Sequence, residues 1–335
     1  MLKRKIGMLM VGLLLGTVLL TGCGTSDGDS NSNNNGNDGG KEYLIGINQL
    51  VEHPALDDAK KGFEDGLEEL GVDAKIDYQN AQGDIPTTTT ISQKFVKDGM
   101  DLIYAIATPA AQSAKQATDE IPVLFSAVTD PVQAEIVDDW DQVGGNITGT
   151  SDMAEYVEEQ VKMFKQIDPS IEKIGILYNT SEANSGVQIE TIEKLAPEEG
   201  LEVITAGVSN VNELTQAIDS LIGKVDAVYN LSDNLIATSV ELVSSKLIEN
   251  NMVSVSAEES QVAGGILITK GLSYYELGKQ TARMAKEILV DGKDPSSMPV
   301  EKADKAELIV NQDTLEALEL DKELLIFKDA KMIEK

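Results

Sequence analysis

Short apolar, β-branched runs alternate with amphipathic stretches along most of the chain. Such runs predict strands at Tyr43–Gln49, Ala74–Tyr78, Leu102–Ala107 and Val123–Ala127. A second group falls at Lys173–Tyr178, Glu202–Ala206, Ala227–Leu231, Val253–Ser256 and Ile266–Thr269. Each is brief and mostly apolar, as expected for parallel strands buried on both faces. Between them, apolar positions recur with helical spacing. Asp57 to Leu70 places Ala59, Phe63, Leu67 and Leu70 on one stripe, with Gly71 as the stop. Tyr156 to Ile167 does the same ahead of Pro169, and Asn212–Ile222, Leu235–Ile248 and Tyr275–Leu289 read alike. This alternation predicts an α/β fold with right-handed crossovers. It comes as two similar sets, before and after about Thr150, joined by the small, polar and flexible "GGNITGTS" (Gly144–Ser151). The expected architecture is two lobes, each a parallel sheet flanked by helices, facing each other across a cleft. A ligand is expected beyond the carboxyl ends of the strands.

The N-terminus follows another pattern. Lys3, Arg4 and Lys5 precede an almost wholly apolar run, Ile6 to Leu20, and then Cys23, the only cysteine. Basic, apolar and small-residue segments in that order predict an export signal over residues 1–22. The run is short for a bilayer span, which needs about 20 apolar residues; a retained membrane helix is the alternative. Gly24 to Gly40 holds no apolar side chain and predicts a solvated tether, so that residues 23–41 form a flexible linker. A lone thiol makes no internal disulfide. "LTGC" (Leu20–Cys23) resembles the lipobox of bacterial lipoproteins. The resemblance implies that Cys23 is lipidated and begins the mature chain, which would sit on the outer face of the cell membrane. More than one acyl chain is needed for stable anchoring, and a multiply acylated cysteine provides that.

The formal net charge of −30 argues against nucleic acid as a partner, since phosphate binding needs a basic surface. It also disfavours broad docking on an anionic bilayer, leaving the lipid on Cys23 as the expected membrane contact. One histidine and one cysteine leave no Cys/His cluster for zinc. Neither a phosphate-binding G-x-x-x-x-G-K-[ST] loop nor a G-x-S-x-G elbow occurs. No catalytic residue, metal or cofactor is therefore expected; His53 reads as a cleft-lining residue rather than a general base.

The strand ends carry the candidate chemistry. Gln49 and His53 follow the first strand, Thr108, Pro109, Ala110 and Ala111 the third, and Thr129 and Asp130 the fourth. In the second set, Ser181, Glu182, Asn184 and Ser185 follow one strand, Asp233 another, and Glu258 a third. Thr108 suits an N-cap and Pro109 a first helical position, which would leave the Ala110 and Ala111 amides free for a carboxylate. Ser181 and Ser232 read as caps of the same kind. Glu182, Asp233 and Glu258 suit an ammonium. Anion-binding amides facing acids suggest an amino acid zwitterion.

The chain resembles the ABC-transporter substrate-binding lipoproteins of the tryptophan/tyrosine type, with a type I periplasmic-binding-protein fold. The resemblance rests on "IGINQLVEHPALDDAKKGFEDGLEELG" (Ile45–Gly71), "IDYQNAQGD" (Ile76–Asp84), "IATPAAQSA" (Ile106–Ala114), "FSAVTDPV" (Phe125–Val132), "GGNITGTSD" (Gly144–Asp152), "ILYNTSEANS" (Ile176–Ser185) and "YYELGKQTARMA" (Tyr274–Ala285). It implies a hinged monomeric receptor that delivers a small molecule, usually an aromatic amino acid, to a permease with its ATPase. It also implies three crossings between lobes. Residues 42–149 with about 273–301 would form the first lobe, and 150–272 with about 302–335 the second. The helix from Tyr274 would return to the first lobe and Ala306–Gln312 to the second. "NLSDNLIA" and "VSAEESQV" depart from the family pattern at the presumed cleft. Tyr104, Phe125, Tyr178, Tyr229 and Tyr274 are candidate neighbours of a ligand ring. A sugar or nucleoside receptor and a surface adhesin contacting a host are the alternatives. Scarce arginine, with only Arg283 beyond Arg4, argues against a sugar or a dicarboxylate.

Overall fold

The computed structural model describes residues 41–153 and 156–334. The expected signal, Cys23 and nearly all of the tether lie outside the described residues.

Among the described residues, thirteen strands form two sheets. The first sheet contains β1 (Tyr43–Gln49), β2 (Ala74–Asn80), β3 (Leu102–Ile106), β4 (Val123–Val128) and β5 (Ile147–Ser151). The second contains β6 (Lys173–Asn179), β7 (Glu202–Val208), β8 (Ala227–Asn230), β9 (Val253–Ser256) and β10 (Ile268–Leu272). β11 (Glu301–Lys302) then returns to the first sheet, while β12 (Ala306–Asn311) and β13 (Lys331–Ile333) complete the second. The orders are β11-β5-β4-β3-β1-β2 and β13-β12-β10-β9-β8-β6-β7. Both sheets repeat the doubly wound order 2-1-3-4-5, whose switch point is the usual ligand site. All described pairings are parallel except β10 with β12, which is antiparallel. The second sheet is thus mixed rather than wholly parallel. The chain passes between sheets after β5, after β10 and after β11, three times in all. The expected lobe divisions at 149/150 and 301/302 fall inside β5 and β11.

Helices cover both faces of each sheet. On the first lie α1 (Pro54–Glu69), α2 (Ile85–Asp98) and α3 (Thr108–Ala117). The second carries α4 (Val157–Ile167), α5 (Ala183–Leu195), α6 (Val211–Leu221), α7 (Asn234–Ala237), α8 (Val240–Glu249) and α9 (Glu259–Ala263). Then α10 (Tyr274–Leu289) returns to pack along α1, and α11 (Gln312–Ala317) and α12 (Leu325–Lys328) follow. Phe63 of α1 stacks on Tyr104 of β3 at 4.1 Å, and Phe95 of α2 fills the opposite face. Tyr229 lies beside Phe164 in the second lobe. Tyr104, Phe125 and Tyr229 are core residues, and Tyr178 packs against the second core, so none of these four lines the cleft cavities described below.

Two expectations are corrected. "GGNITGTS" contains a strand, β5, with every position buried. Its polarity is deceptive because each hydroxyl is satisfied internally. Thr148 Oγ1 donates to the Met298 carbonyl at 3.0 Å, Thr150 pairs with Thr281 at 2.8 Å, and Ser151 donates to the Thr129 carbonyl at 2.8 Å. A hydrogen-bonded hydroxyl is buried at little cost. The expected Leu235–Ile248 helix is instead α7 and α8. Thr238 Oγ1 donates back to the Leu235 carbonyl and Ser239 leaves the helical region, which breaks the helix there.

The α1–α10 contact depends on missing side chains. A Cβ on Gly62 would lie 2.0 Å from the Tyr275 carbonyl oxygen, and one on Gly278 2.1 Å from that of Ala59. Both obstacles are backbone, so neither helix can yield locally. Gly278→Ala should therefore cost about 2 kcal/mol or more through overpacking, read as a lower urea midpoint. An unchanged midpoint would show that the helices separate freely.

Candidate functional site

The carboxyl ends of the two sheets face each other. There His53, Ala127, Asp152, Asn184, Asp233 and Glu258 line a small enclosed space with Tyr274, Asn234 and Ser232. Its free volume is only about 10 Å³, room for about one water. Among the described residues, no lysine or arginine lines it.

The second lobe supplies a dense acidic network. Asp233 caps α7, accepting from the Ile236 amide at 3.0 Å. Its other oxygen accepts from the Asn179 amide at 2.6 Å and from Ser185 Oγ at 2.7 Å. Glu182 accepts from Asn179 at 3.0 Å and from the Asn234 and Leu235 amides. It also accepts from the Asn234 side-chain amide, which turns the Asn234 oxygen towards His53. Glu258 caps α9 through Ser260, at 2.7 Å to its amide and 2.9 Å to its hydroxyl. Burial pushes the Asp233 carboxyl up to about 7, and the Glu182 charge adds to the effect. Burial likewise raises Glu258 to about 7 against its bonds to Ser260.

Asp152 and Tyr274 come from the crossings between lobes. Tyr274 donates to one Asp152 oxygen at 2.6 Å, while the other oxygen, Oδ1, is buried without a partner. Burial raises the Asp152 carboxyl and holds the Tyr274 phenol well above its usual range. His53 Nε2 lies 3.1 Å from Asn234 Oδ1, so a hydrogen bond joins the lobes. That oxygen only accepts, which places the proton on Nε2 and leaves Nδ1 a bare acceptor. Burial lowers the His53 pKa and keeps the ring neutral. Asn184 donates through its amide nitrogen to the Ser232 carbonyl, which leaves its Oδ1 unpaired. Three residues around one cavity thus each present an orphaned acceptor.

The other expected residues lie outside this lining. Gln49 donates to Asp57 and to the Val51 carbonyl, bracing the loop before α1. Asp130 caps the turn after β4, and the Thr129 carbonyl accepts from Ser151. Neither Ser181 nor Ser232 is a cap: Glu182 and Asp233 occupy those positions. Thr108 is not the N-cap of α3 either. Ala107 holds that place at φ 84°, and Pro109 follows Thr108 inside the first turn. The Ala111 amide is already bonded to the Ala107 carbonyl at 3.1 Å, so it is not free for a ligand. Thr108 Oγ1, by contrast, is buried and unpaired. Ala107, just after β3, and Ala127, inside β4 at its register irregularity, stand in strained backbone at φ 84° and 57°, a feature common at binding sites.

Asp152, Asn234 and Ser232 were absent from the expected site. Asp152 directly follows β5, so recognising that strand would have placed it at a strand end. Asn234 is adjacent to Asp233, but nothing local distinguishes it as the bridge to His53.

A larger space of about 300 Å³ adjoins this one, also between the lobes. Leu50, Val51 and Ile85 wall it on one side and Val211 and Leu235 on the other, while Asn234 borders both spaces.

Two α/β lobes with three crossings and a polar interlobe cavity define a hinged small-molecule receptor. The chain belongs to the ABC transporter substrate binding protein family, whose profile matches residues 44–332. This is a family of solute-binding proteins, not enzymes, and they work outside the cytoplasm. The chain is 44% identical over 325 residues to the tyrosine-binding protein of Clostridioides difficile strain R20291, covering 96% of this chain and 94% of that one. It superposes on an ABC domain from Streptococcus pneumonia in complex with L-Trp, with TM-score 0.82 and 35% identity, over 86% of this chain and 99% of that one. Against the ligand-free, open structure of a Clostridium difficile substrate-binding protein with adhesive properties, the TM-score is 0.68 at 42% identity, over 88% and 99%. Sequence likeness favours the open protein while shape favours the complex. The lobes are thus arranged more like those of the L-Trp complex than like those of the open structure.

The raised carboxyls make stability depend on pH. Asp233 and Glu258 titrate near 7 when folded and near 4 when unfolded. Between those values the folded chain binds more protons, so this pair's contribution falls as pH rises. Acidifying from about pH 8 to about pH 5.5 should raise the thermal midpoint more in the wild type than in Glu258→Gln. The expected difference is at least about 3 °C, corresponding to roughly 1 kcal/mol. Equal responses would show that Glu258 is not a desolvated carboxyl.

Proposed function

We propose that this chain is the lipid-anchored receptor of an ABC importer, and that it captures an aromatic amino acid (tyrosine, tryptophan or phenylalanine) between its lobes. The observation that carries this reading is the set of orphaned acceptors, Asp152 Oδ1, Asn184 Oδ1 and His53 Nδ1, around one cation-free acidic cavity. An ammonium has three donors and a positive charge, which matches that set. Thr108 Oγ1 and the first turn of α3 would receive the ligand carboxylate, with the Ala110 amide in place of the pair first expected. The names of the C. difficile and S. pneumonia proteins support an aromatic side chain.

The roles of the acids divide. Asp233 is saturated by three donors of its own lobe and braces the site, whereas Asp152 keeps a bare oxygen for the ligand. The space beside the acids, about 10 Å³, takes little more than the ammonium, so the rest of the ligand lies beyond it; the ligand enters the open form and the lobes shut on it. Closure then strengthens each polar contact by removing water, and the permease, with its ATPase, reads the closed form.

Calorimetric titration of the full-length protein in detergent against the twenty amino acids tests this. A micromolar dissociation constant, about −8 kcal/mol, is expected for at least one aromatic amino acid. Heat with a sugar or nucleoside and none with any amino acid would overturn it. Asp152→Asn should weaken binding tenfold or more, about 1.4 kcal/mol; an unchanged affinity would remove Asp152 from the ammonium site. The anchor is tested separately by cell fractionation. Cys23→Ser should move the protein from the membrane fraction to a soluble extracytoplasmic one, and retention in the membrane would refute lipidation at Cys23.

A further inference from the structure

We infer that the larger interlobe chamber is the subsite for the ligand side chain, and that aliphatic residues rather than aromatic ones set its selectivity. This rests on the reading of the chain as an amino acid receptor. The space beside the acids holds about 10 Å³, enough for little more than the ammonium. The chamber next to it holds about 300 Å³, the lower end of small-molecule pockets. Asn234 borders both, so a ligand bound by its ammonium can extend past this residue into the chamber.

Polar residues, among them Gln82, Glu182 and Asn210, share the lining, and its aliphatic part fits an apolar group held between two moving parts. Val51 and Ile85 come from the first lobe and Val211 and Leu235 from the second. Val211 is 50% exposed although it is a large apolar residue on the first turn of α6. A side chain entering the chamber would cover apolar surface on both lobes at once, which only the closed form provides. Burial contributes roughly 25 cal/mol per Å² of apolar surface, so a larger ring that fits holds the lobes together more strongly. Among the described residues, no Phe, Tyr or Trp lines the chamber. Discrimination among rings therefore rests on volume and on the polar rim, where Gln82 stands.

Titration of the full-length protein in detergent with tryptophan, tyrosine and phenylalanine tests the inference through a ratio of affinities. Val211→Trp and Thr238→Trp replace exposed residues and fill the chamber from its mouth, so both should fold. Each should lower the affinity for tryptophan relative to phenylalanine at least fivefold. Leu235→Ala enlarges the chamber and should raise the same ratio. A shift in the stated direction supports the subsite, and ratios within twofold of wild type in all three variants overturn it. That result differs from failure of the receptor reading, in which the wild type itself binds no aromatic amino acid.

Discussion

Between the lobes several carboxylates are withdrawn from water with no lysine or arginine among the described residues that line their cavity. Asp152, Asp233 and Glu258 share one cavity, with Glu182 against Asp233. An ionised carboxylate leaves water only if it is paired, hydrogen-bonded or protonated. The second lobe meets this demand with backbone amides at the end of β6 and the starts of α7 and α9, beyond the carboxyl ends of the strands. Hydrogen bonds from Asn179, Ser185, Asn234 and Ser260 satisfy its acids. Asp152 alone among the three cavity acids keeps a buried oxygen unpaired.

The position of Asp152 ties that unpaired oxygen to the connections between the lobes. It directly follows β5, where the chain first leaves one sheet for the other, and Tyr274 begins α10 just after the second crossing. Their hydrogen bond joins two of the three connections. The glycine-lined contact between α10 and α1 then fixes the returning helix to the first lobe. A ligand group bonded to Asp152 thus acts on the hinge itself. The His53–Asn234 bond closes the far side, between a loop of one lobe and a helix start of the other. Differential contact of this kind is what allows a ligand to shift an open–closed equilibrium.

Much of the fold was legible in the sequence because parallel strands buried on both faces leave strong apolar runs. β1 and β9 match the expected ranges, and most others differ by one or two residues. The candidate site was legible in part, through the rule that ligands sit beyond strand ends. His53, Asn184, Asp233 and Glu258 were reached in this way. β5 was missed because its threonines and serine look solvated, and their partners are remote: Thr148 bonds to the carbonyl of Met298. Asp152 was lost with it. The cap assigned to Thr108 failed because Ala107 adopts a positive φ that no local signal announces.

The alternation of strands and helices, their division into two similar sets, and the acids at the strand ends are written in the linear pattern, because they follow from periodicity and local chemistry. Which acids are saturated, which is left bare, and that the larger chamber is lined by aliphatic and polar residues emerge on folding alone. Those outcomes depend on which strand ends meet across the cleft. That meeting is set by three crossings and a helix contact between residues more than two hundred positions apart, as Gly62 and Tyr275 are.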